Sequence, residues 1–252
     1  MTSRNPSSAT LPQIVAPAGN LEKLKIAAAY GADAVYFGGG DFNLRVQAEN
    51  FSPEDIEEAI AFCAERGVTT VFLVNSFLHE HEIDAARSYL RAIKKYPFGA
   101  LMVSDPGMLM LIRDEGIDLP VHLSTQMSTL NHLAVRFWRQ AGVSRIVLAR
   151  ETTLDEIRKI REHTDAELEV FVHGALCISY SGRCLLSRYL SGRDANRGDC
   201  SHPCRWHYAL MEEKRPGSPL EIVEYRKAGG GGTEILSSKD LCLIGRLEEY
   251  VS

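Results

Sequence analysis

Thr69-Thr-Val-Phe-Leu-Val-Asn75, then the amphipathic stretch Glu80–Lys94, then Ala100-Leu-Met-Val-Ser104, is the passage that decides the fold. The first run is short, β-branched and apolar at consecutive positions, as a strand covered on both faces must be. Glu80–Lys94 places apolar residues at helical spacing, and the third run repeats the first. A strand, a helix and a second strand with short connectors form a βαβ unit, whose crossover makes the two strands parallel.

Working outward, the same alternation recurs. Ile14–Ala18, Ala34–Gly38, Val121–Thr125, Arg145–Ala149 and Leu168–Val172 read as strands, and Asn20–Tyr30, Ser52–Arg66, Gly107–Glu115, Leu130–Ala141 and Thr153–His163 as helices. Ser52-Pro-Glu-Asp55 carries an N-cap, a first-turn proline and early acids, and Thr153 with Glu156 forms a capping box. Gly31, Gly67, Gly116 and Gly142 stand where helices end. The reading is α/β, a (β/α)8 TIM-like barrel incomplete at its C-terminus. An open doubly wound sheet would carry a glycine-rich phosphate loop after its first strand, and Ala16-Pro-Ala-Gly-Asn20 is not one. Gly38-Gly-Gly40 is a weak phosphate loop and an ordinary turn.

Residues 1–12 read as a flexible tail and 13–176 as barrel units one to seven. Residues 177–233 read as a cysteine-rich loop with a small antiparallel β ribbon, and 234–252 as a last strand and helix. The ribbon runs Trp206–Met211, a turn at Pro216-Gly217, and Leu220–Tyr225. Either Glu234–Ser237 closes the barrel or the eighth strand lies beyond residue 252 and the chain is a fragment. Ser238–Tyr250 reads as a helix carrying Cys242.

The chain has 252 residues, 45% hydrophobic and 24% charged, enough for one barrel-sized core. Its net charge of -5 excludes wholesale coating of nucleic acid or anionic membrane. Between residues 183 and 207, however, five arginines face only Asp194 and Asp199, so this stretch is +3 and the remainder -8. No run of about 18 apolar residues exists to span a membrane, and the polar start lacks a signal peptide's apolar stretch. A cytoplasmic location is expected, where clustered cysteines serve metal or redox chemistry and not disulfides.

Cys177, Cys184, Cys200 and Cys204 follow the spacing C-x6-C-x15-C-x3-C. Four thiolates can hold zinc or an iron–sulfur cluster. Structural zinc favours two short pairs, and only Cys200 and Cys204 form one, so the irregular loop suits the larger iron–sulfur cage better. Cys242 is an alternative fourth ligand, although a core position is its ordinary role. Cys63, in an apolar helical pattern, reads as a buried hydrophobe. Arg183, beside Cys184, Arg150 and Arg205 are candidate anion clamps, because guanidinium forks bind carboxylate and phosphate bidentately.

The functional rim of a barrel is at the C-terminal ends of its strands. That rule selects Asn75, Asp105, Gln126, Arg150, Glu151 and His173, with helix capping and loop polarity sufficient to explain Asp105 and Glu151. His122 shares an inward face with Ser124 and Gln126, a costly choice for a pure core. His122, Gln126 and His173 are thus candidate proton handlers. Asn43 and Arg45 follow the second strand and are further candidates. His79-Glu-His81 is too closely spaced for a zinc pair on a helix face, and neither H-E-x-x-H nor G-x-S-x-G occurs.

Glu169-Val-Phe171-Val-His-Gly174-Ala-Leu-Cys177-Ile-Ser-Tyr-Ser-Gly182-Arg-Cys184-Leu-Leu-Ser187 resembles the signature of the peptidase U32 family, the collagenase-like peptidases. Ala16–Asn20, Ala34–Gly38, His122–Gln126 and Ser237–Leu241 extend the resemblance over residues 13–252. Gly198-Asp-Cys-Ser-His-Pro-Cys-Arg-Trp206 looks most like the branch that makes 5-hydroxyuridine at the tRNA wobble position. The resemblance implies oxygen-independent hydroxylation of tRNA, with prephenate or a similar dicarboxylate as oxygen source. It also implies a 4Fe-4S cluster on Cys177, Cys184, Cys200 and either Cys204 or Cys242. The family name carries a peptidase activity instead, and relatives acting on the ubiquinone ring work as a pair, which implies a protein partner. Family chains commonly continue past this end.

Overall fold

Seven parallel strands hydrogen-bond in the order in which they occur: β1 (Val15–Pro17), β2 (Ala34–Gly38), β3 (Thr69–Val74), β4 (Ala100–Val103), β5 (Val121–Leu123), β6 (Arg145–Val147) and β7 (Glu167–Glu169). Between them lie α1 (Leu21–Ala29), α2 (Pro53–Ala64), α3 (Ile83–Ile93), α4 (Pro106–Asp114), α5 (His132–Gln140) and α6 (Leu154–Glu162). This is a computed structural model, and it describes residues 11–44, 50–208, 210–212, 216, 221–223 and 236–251. Every element of the alternating pattern is present. The caps form as the residue types require: the Ser52 hydroxyl accepts from the Asp55 N–H at 3.1 Å, and the Asp55 carboxylate accepts from the Ser52 N–H at 3.0 Å.

A strand order that never reverses puts successive right-handed crossovers on one face of the sheet. The other face must then find cover by curling onto itself. Side chains alternate along each strand, and two cores result. Phe37, Phe72, Leu101, Leu123 and Ile146 pack outward in the cluster that also holds helix residues such as Leu24, Leu90 and Ile112. Val71, Leu73, Ala100, Met102 and Val147 form a second cluster with Tyr36 and Phe171. Residues of β2, β3, β4 and β6 thus meet Phe171 beyond β7, which makes the sheet an incomplete barrel and not a flat layer. At the open seam, the Arg145 guanidinium donates to Gln13 Oε1 at 2.7 Å and to Glu167 at 2.8 Å. Gln13 lies two residues before β1, so side chains link the two edges of the sheet.

Beyond β7 the chain forms β8 (His173–Gly174), α7 (Leu186–Ser191), β9 (Leu210–Glu212), β10 (Glu221–Val223), β11 (Leu241–Cys242) and α8 (Glu248–Val251). β9 and β10 are the expected antiparallel ribbon. Of its turn at Pro216-Gly217, only Pro216 is described, and it lies in a turn. The C-terminal reading needs correction. Ser238–Tyr250 is not one helix: Leu241 and Cys242 pair with Gly174 and His173, and the Leu243 N–H donates to the Val172 carbonyl at 2.8 Å. The edge of β8 offers backbone groups that a helix could not satisfy, and a strand takes them. Glu234 and Ile235 lie outside the described residues, and Leu236 and Ser237 are in no strand.

The outer core turns on an aromatic group. Phe72 is fully buried, stacked on Phe98 at 4.4 Å between ring centroids and edge-on to Phe37 at 5.6 Å. Phe72→Ala is expected to cost roughly 3–5 kcal/mol. Phe137→Ala, on the outer side of α5 where the ring is 61% exposed, is expected to stay within about 0.5 kcal/mol. Urea unfolding of both variants checks the contrast; similar losses would contradict this packing.

Candidate functional site

The C-terminal rim is organised around Gln126. The residues following β4 and β5, Ser104 and Ser124, are buried hydroxyls. Both donate to Gln126 Oε1, Ser104 at 3.1 Å and Ser124 more closely. Gln126 sits in a short 3-10 turn, Thr125–Met127, pinned by the Thr125 hydroxyl on the Leu148 carbonyl at 3.1 Å. Its carbonyl oxygen is thus occupied, and its NH2 remains as a donor.

The cysteine loop docks on this rim. Gly182 has φ 75°, and a Cβ placed there would lie 2.9 Å from Gln126 Cβ, so both the backbone conformation and the approach require glycine. Next to it, Arg150 donates to the Ser181 hydroxyl while its guanidinium lies 4.0 Å over the Phe171 ring. A third tie runs from Arg197 to Glu82. Burial opposes the charge of Glu82, but the His79 N–H and Arg197 outweigh it and hold the carboxyl below its ordinary range. The loop therefore rests on the connections after β3, β5 and β6 together.

Within the loop, hydroxyls draw the cysteine segments together. Fully buried Ser187, three residues after Cys184, accepts from the N–H of Ser201, which follows Cys200, at 3.0 Å. The Ser201 hydroxyl lies 3.0 Å from that of Ser187 and 2.8 Å from that of Ser191. His202 takes a left-handed conformation, φ 53°, turning the chain between Cys200 and Cys204. Its N–H donates to Cys200 Sγ at 3.3 Å.

The thiols act on one another. Burial pushes Cys177 up, Arg150 opposes this, and Cys200, Cys184 and Cys204 add to it by like charge. Burial and then Cys200 push Cys204 up against the pull of Arg205. Four gathered cysteines with arginines beside them form a donor set that a metal centre would deprotonate and whose charge it would neutralise. Among the described residues, no three ligating side chains are already close enough to hold a metal ion. Cys242 stands exposed on β11 opposite His173. Cys63 is the expected core thiol, pushed up to about 11 by burial.

The other predicted residues scatter. His122 is buried inside the barrel, register partner of Met102 and Arg145 and two residues below Ser124. Its Nδ1 has no hydrogen-bond partner. Desolvation and then Arg145 push its pKa down to about 4. His173 is exposed on β8, paired with Cys242 of β11, and not on the strand that carries His122. Arg205 pairs with Asp240 at 2.8 Å, Arg183 is exposed, and Arg45 lies outside the described residues. Asn75 accepts from the Leu44 N–H at 3.1 Å and Asn43 donates to the Gly39 carbonyl, so both fasten the loop after β2. Asp105 caps α4, and Glu151 is exposed.

Sequence reasoning missed Ser104, Ser181 and Glu169 as site residues. The polar end of the Ala100–Ser104 run was the available signal for the first. Glu169 faces inward; burial raises its carboxyl, and Arg145, 3.9 Å away, opposes this. Beside Arg150 opens a cleft of ≈ 530 Å³, whose lining includes Glu151, Asp155, Phe171, Arg246 and Tyr250.

The model of peptidase family U32 matches residues 19–252. The chain is 46% identical over 201 residues to tRNA hydroxylation protein P1 of Bacillus subtilis, covering 80% of this chain and 48% of that one. It is 42% identical over 273 residues to tRNA hydroxylation protein P of Escherichia coli, covering 94% and 60%. The chain thus spans about half the length of these curated relatives. A solved U32 peptidase has a TM-score of 0.56 at 15% identity, covering 69% of this chain and 74% of that one, and supports the fold.

Two outcomes follow from this geometry. His122 is depressed from its ordinary 6.5, so its contribution to stability is complete above about pH 6.5 and is lost as pH falls towards 4. Wild type should lose up to about 3 kcal/mol more than His122→Asn over that interval in urea unfolding; parallel pH curves would contradict the burial of this ring. Gly182→Ala should leave the unfolding of the barrel nearly unchanged but open the half-buried Cys184 and Cys200 to faster alkylation; unchanged rates would contradict the docking.

Proposed function

The chain belongs to peptidase family U32, and we propose that it is the catalytic barrel of an RNA-hydroxylating enzyme whose cysteine loop holds an iron–sulfur cluster. The substrate we infer is the wobble uridine of tRNA, converted to 5-hydroxyuridine without molecular oxygen, in the cytoplasm. The observation carrying this reading is that Cys177, Arg150, Ser181, Gly182 and Gln126 meet where a barrel places its chemistry.

Cys177, Cys184, Cys200 and Cys204 would hold the cluster, of 4Fe-4S type. When bound, the cluster would supply one-electron chemistry or a site for the hydroxyl donor. The protein's own residues do the rest. Arg150 offsets thiolate charge and keeps further N–H groups for an anion beside the ≈ 530 Å³ cleft, which suits a small dicarboxylate such as prephenate. Gln126, fixed by two serines, presents an oriented NH2 donor to a base or donor carbonyl. His122 is buried and neutral near pH 7, with its Nδ1 unpartnered, so it can offer an uncharged donor or acceptor inside the barrel but not a positive charge.

A peptidase reading follows the family's name. It finds no H-E-x-x-H or G-x-S-x-G in the chain, and a metal saturated by four thiolates keeps no open position for a scissile carbonyl.

Anaerobic purification with iron and sulfide assays tests the cluster. About four of each with a brown absorption near ~400 nm is expected, lost in Cys177→Ser and kept in Cys242→Ser. Zinc alone would overturn the cluster. Nucleoside analysis of tRNA from cells with and without the protein tests the reaction; unchanged 5-hydroxyuridine would overturn it.

A further inference from the structure

The loop that gathers the cysteines also turns a large apolar surface outward. Leu185 is 69% and Tyr189 86% exposed, and Ile178, Tyr180, Leu190 and Trp206 are exposed as well. A loosely held segment does not account for this. α7 is fastened from beneath by Ser187 and Ser191, both bonded to the hydroxyl of Ser201. Leu185 and Tyr189, four apart, lie on the opposite side of that helix from the two serines. Large apolar side chains turned outward on a held element mark a binding surface.

Charge selects the partner. Of the five arginines in this stretch, Arg193 pairs with Asp199, Arg197 with Glu82 and Arg205 with Asp240. Arg183 and Arg188 are exposed and pair with no carboxylate among the described residues. Unpaired guanidinium groups among flat, exposed rings, on a chain that is otherwise acidic, complement a polyanion bearing flat rings of its own. Unstacked nucleotides have both features, whereas a duplex hides its base faces.

We propose that the outer face of α7, with Tyr180, Tyr189, Arg183 and Arg188, is the platform on which unpaired nucleotides of the RNA stack beside the cysteine site. The inference rests on the RNA reading above and adds how the strand is held. The loop thereby serves twice, its inner side facing the barrel rim and its outer side facing the single strand.

Fluorescence anisotropy of the anaerobically prepared protein tests it, using a labelled RNA hairpin with an unpaired uridine-containing loop and a fully paired duplex of equal length. Tyr189→Ala should weaken hairpin binding about fivefold or more, and Tyr189→Phe should restore it. The double change Arg183→Ala with Arg188→Ala should flatten the slope of log affinity against log salt by about 0.7 per guanidinium. Iron content and absorption spectrum should match wild type in each variant, showing that the loop is intact. Unchanged hairpin affinity in both variants would overturn the platform, as would an equal loss on the duplex. So would protection of α7 amides from hydrogen exchange by a protein segment with RNA binding unaltered. Failure of the underlying reading looks different: wild type would form no 5-hydroxyuridine while hairpin binding still depended on Tyr189.

Discussion

The cysteine site depends on one close approach, that of Gly182 to Gln126. A side chain at 182 would place its Cβ 2.9 Å from that of Gln126, and the φ of 75° would strain any L residue. Because the glycine has neither problem, the loop backbone lies flat on the rim, which leaves Ser181 within reach of Arg150 and Arg150 over Phe171. Gln126 can serve as the seat because Ser104 and Ser124 hold its amide in one orientation. A contact between two strand-end serines and one amide thus propagates into the placement of four thiols.

That seat exists because of the sheet's topology. A sheet of seven strands in unbroken sequence order brings every C-terminal strand end to one rim, and the inward faces fill with Val71, Leu73, Ala100, Met102 and Val147. The middle of the barrel is therefore packed, and burial disfavours the charged forms of its polar members, His122 and Glu169, with Arg145 opposing it at the carboxyl. Charged chemistry is driven to the rim, where arginine side chains and solvent can stabilise anions.

Much of this was legible in the sequence. The central strands β2, β3 and β4 are near-continuous apolar runs bounded by turns, so local composition identifies them, and the two capping boxes declare their helices by residue type alone. The gathering of Cys177, Cys184, Cys200 and Cys204 was legible as density and spacing. The last segment was not, because Leu241-Cys242 takes its conformation from the edge of β8, a partner more than sixty residues away in the chain. Nor could the sequence show which arginines are free. Arg197 and Arg205 find carboxylates at Glu82 and Asp240, distant positions that only the fold brings near.

This distinction changes the electrostatic meaning of the loop. Counted by residue, the stretch is strongly basic; counted by partners, three of its arginines are structural and hold the loop in shape. A guanidinium held in an ion pair is a poor ligand for a second anion, since binding must first separate the existing pair. The anion-binding capacity of the loop therefore resides in two places of different character. Arg150, held beside the cysteines, lines the cleft and suits a small anion whose position must be fixed. Arg183 and Arg188, exposed and long, suit a flexible polyanion whose charge must be attracted but not positioned to a fraction of an ångström. On the proposed function, a small donor and a nucleic acid brought to one centre would use both kinds of site, Arg150 on the rim beneath the loop and Arg183 and Arg188 on its outer side.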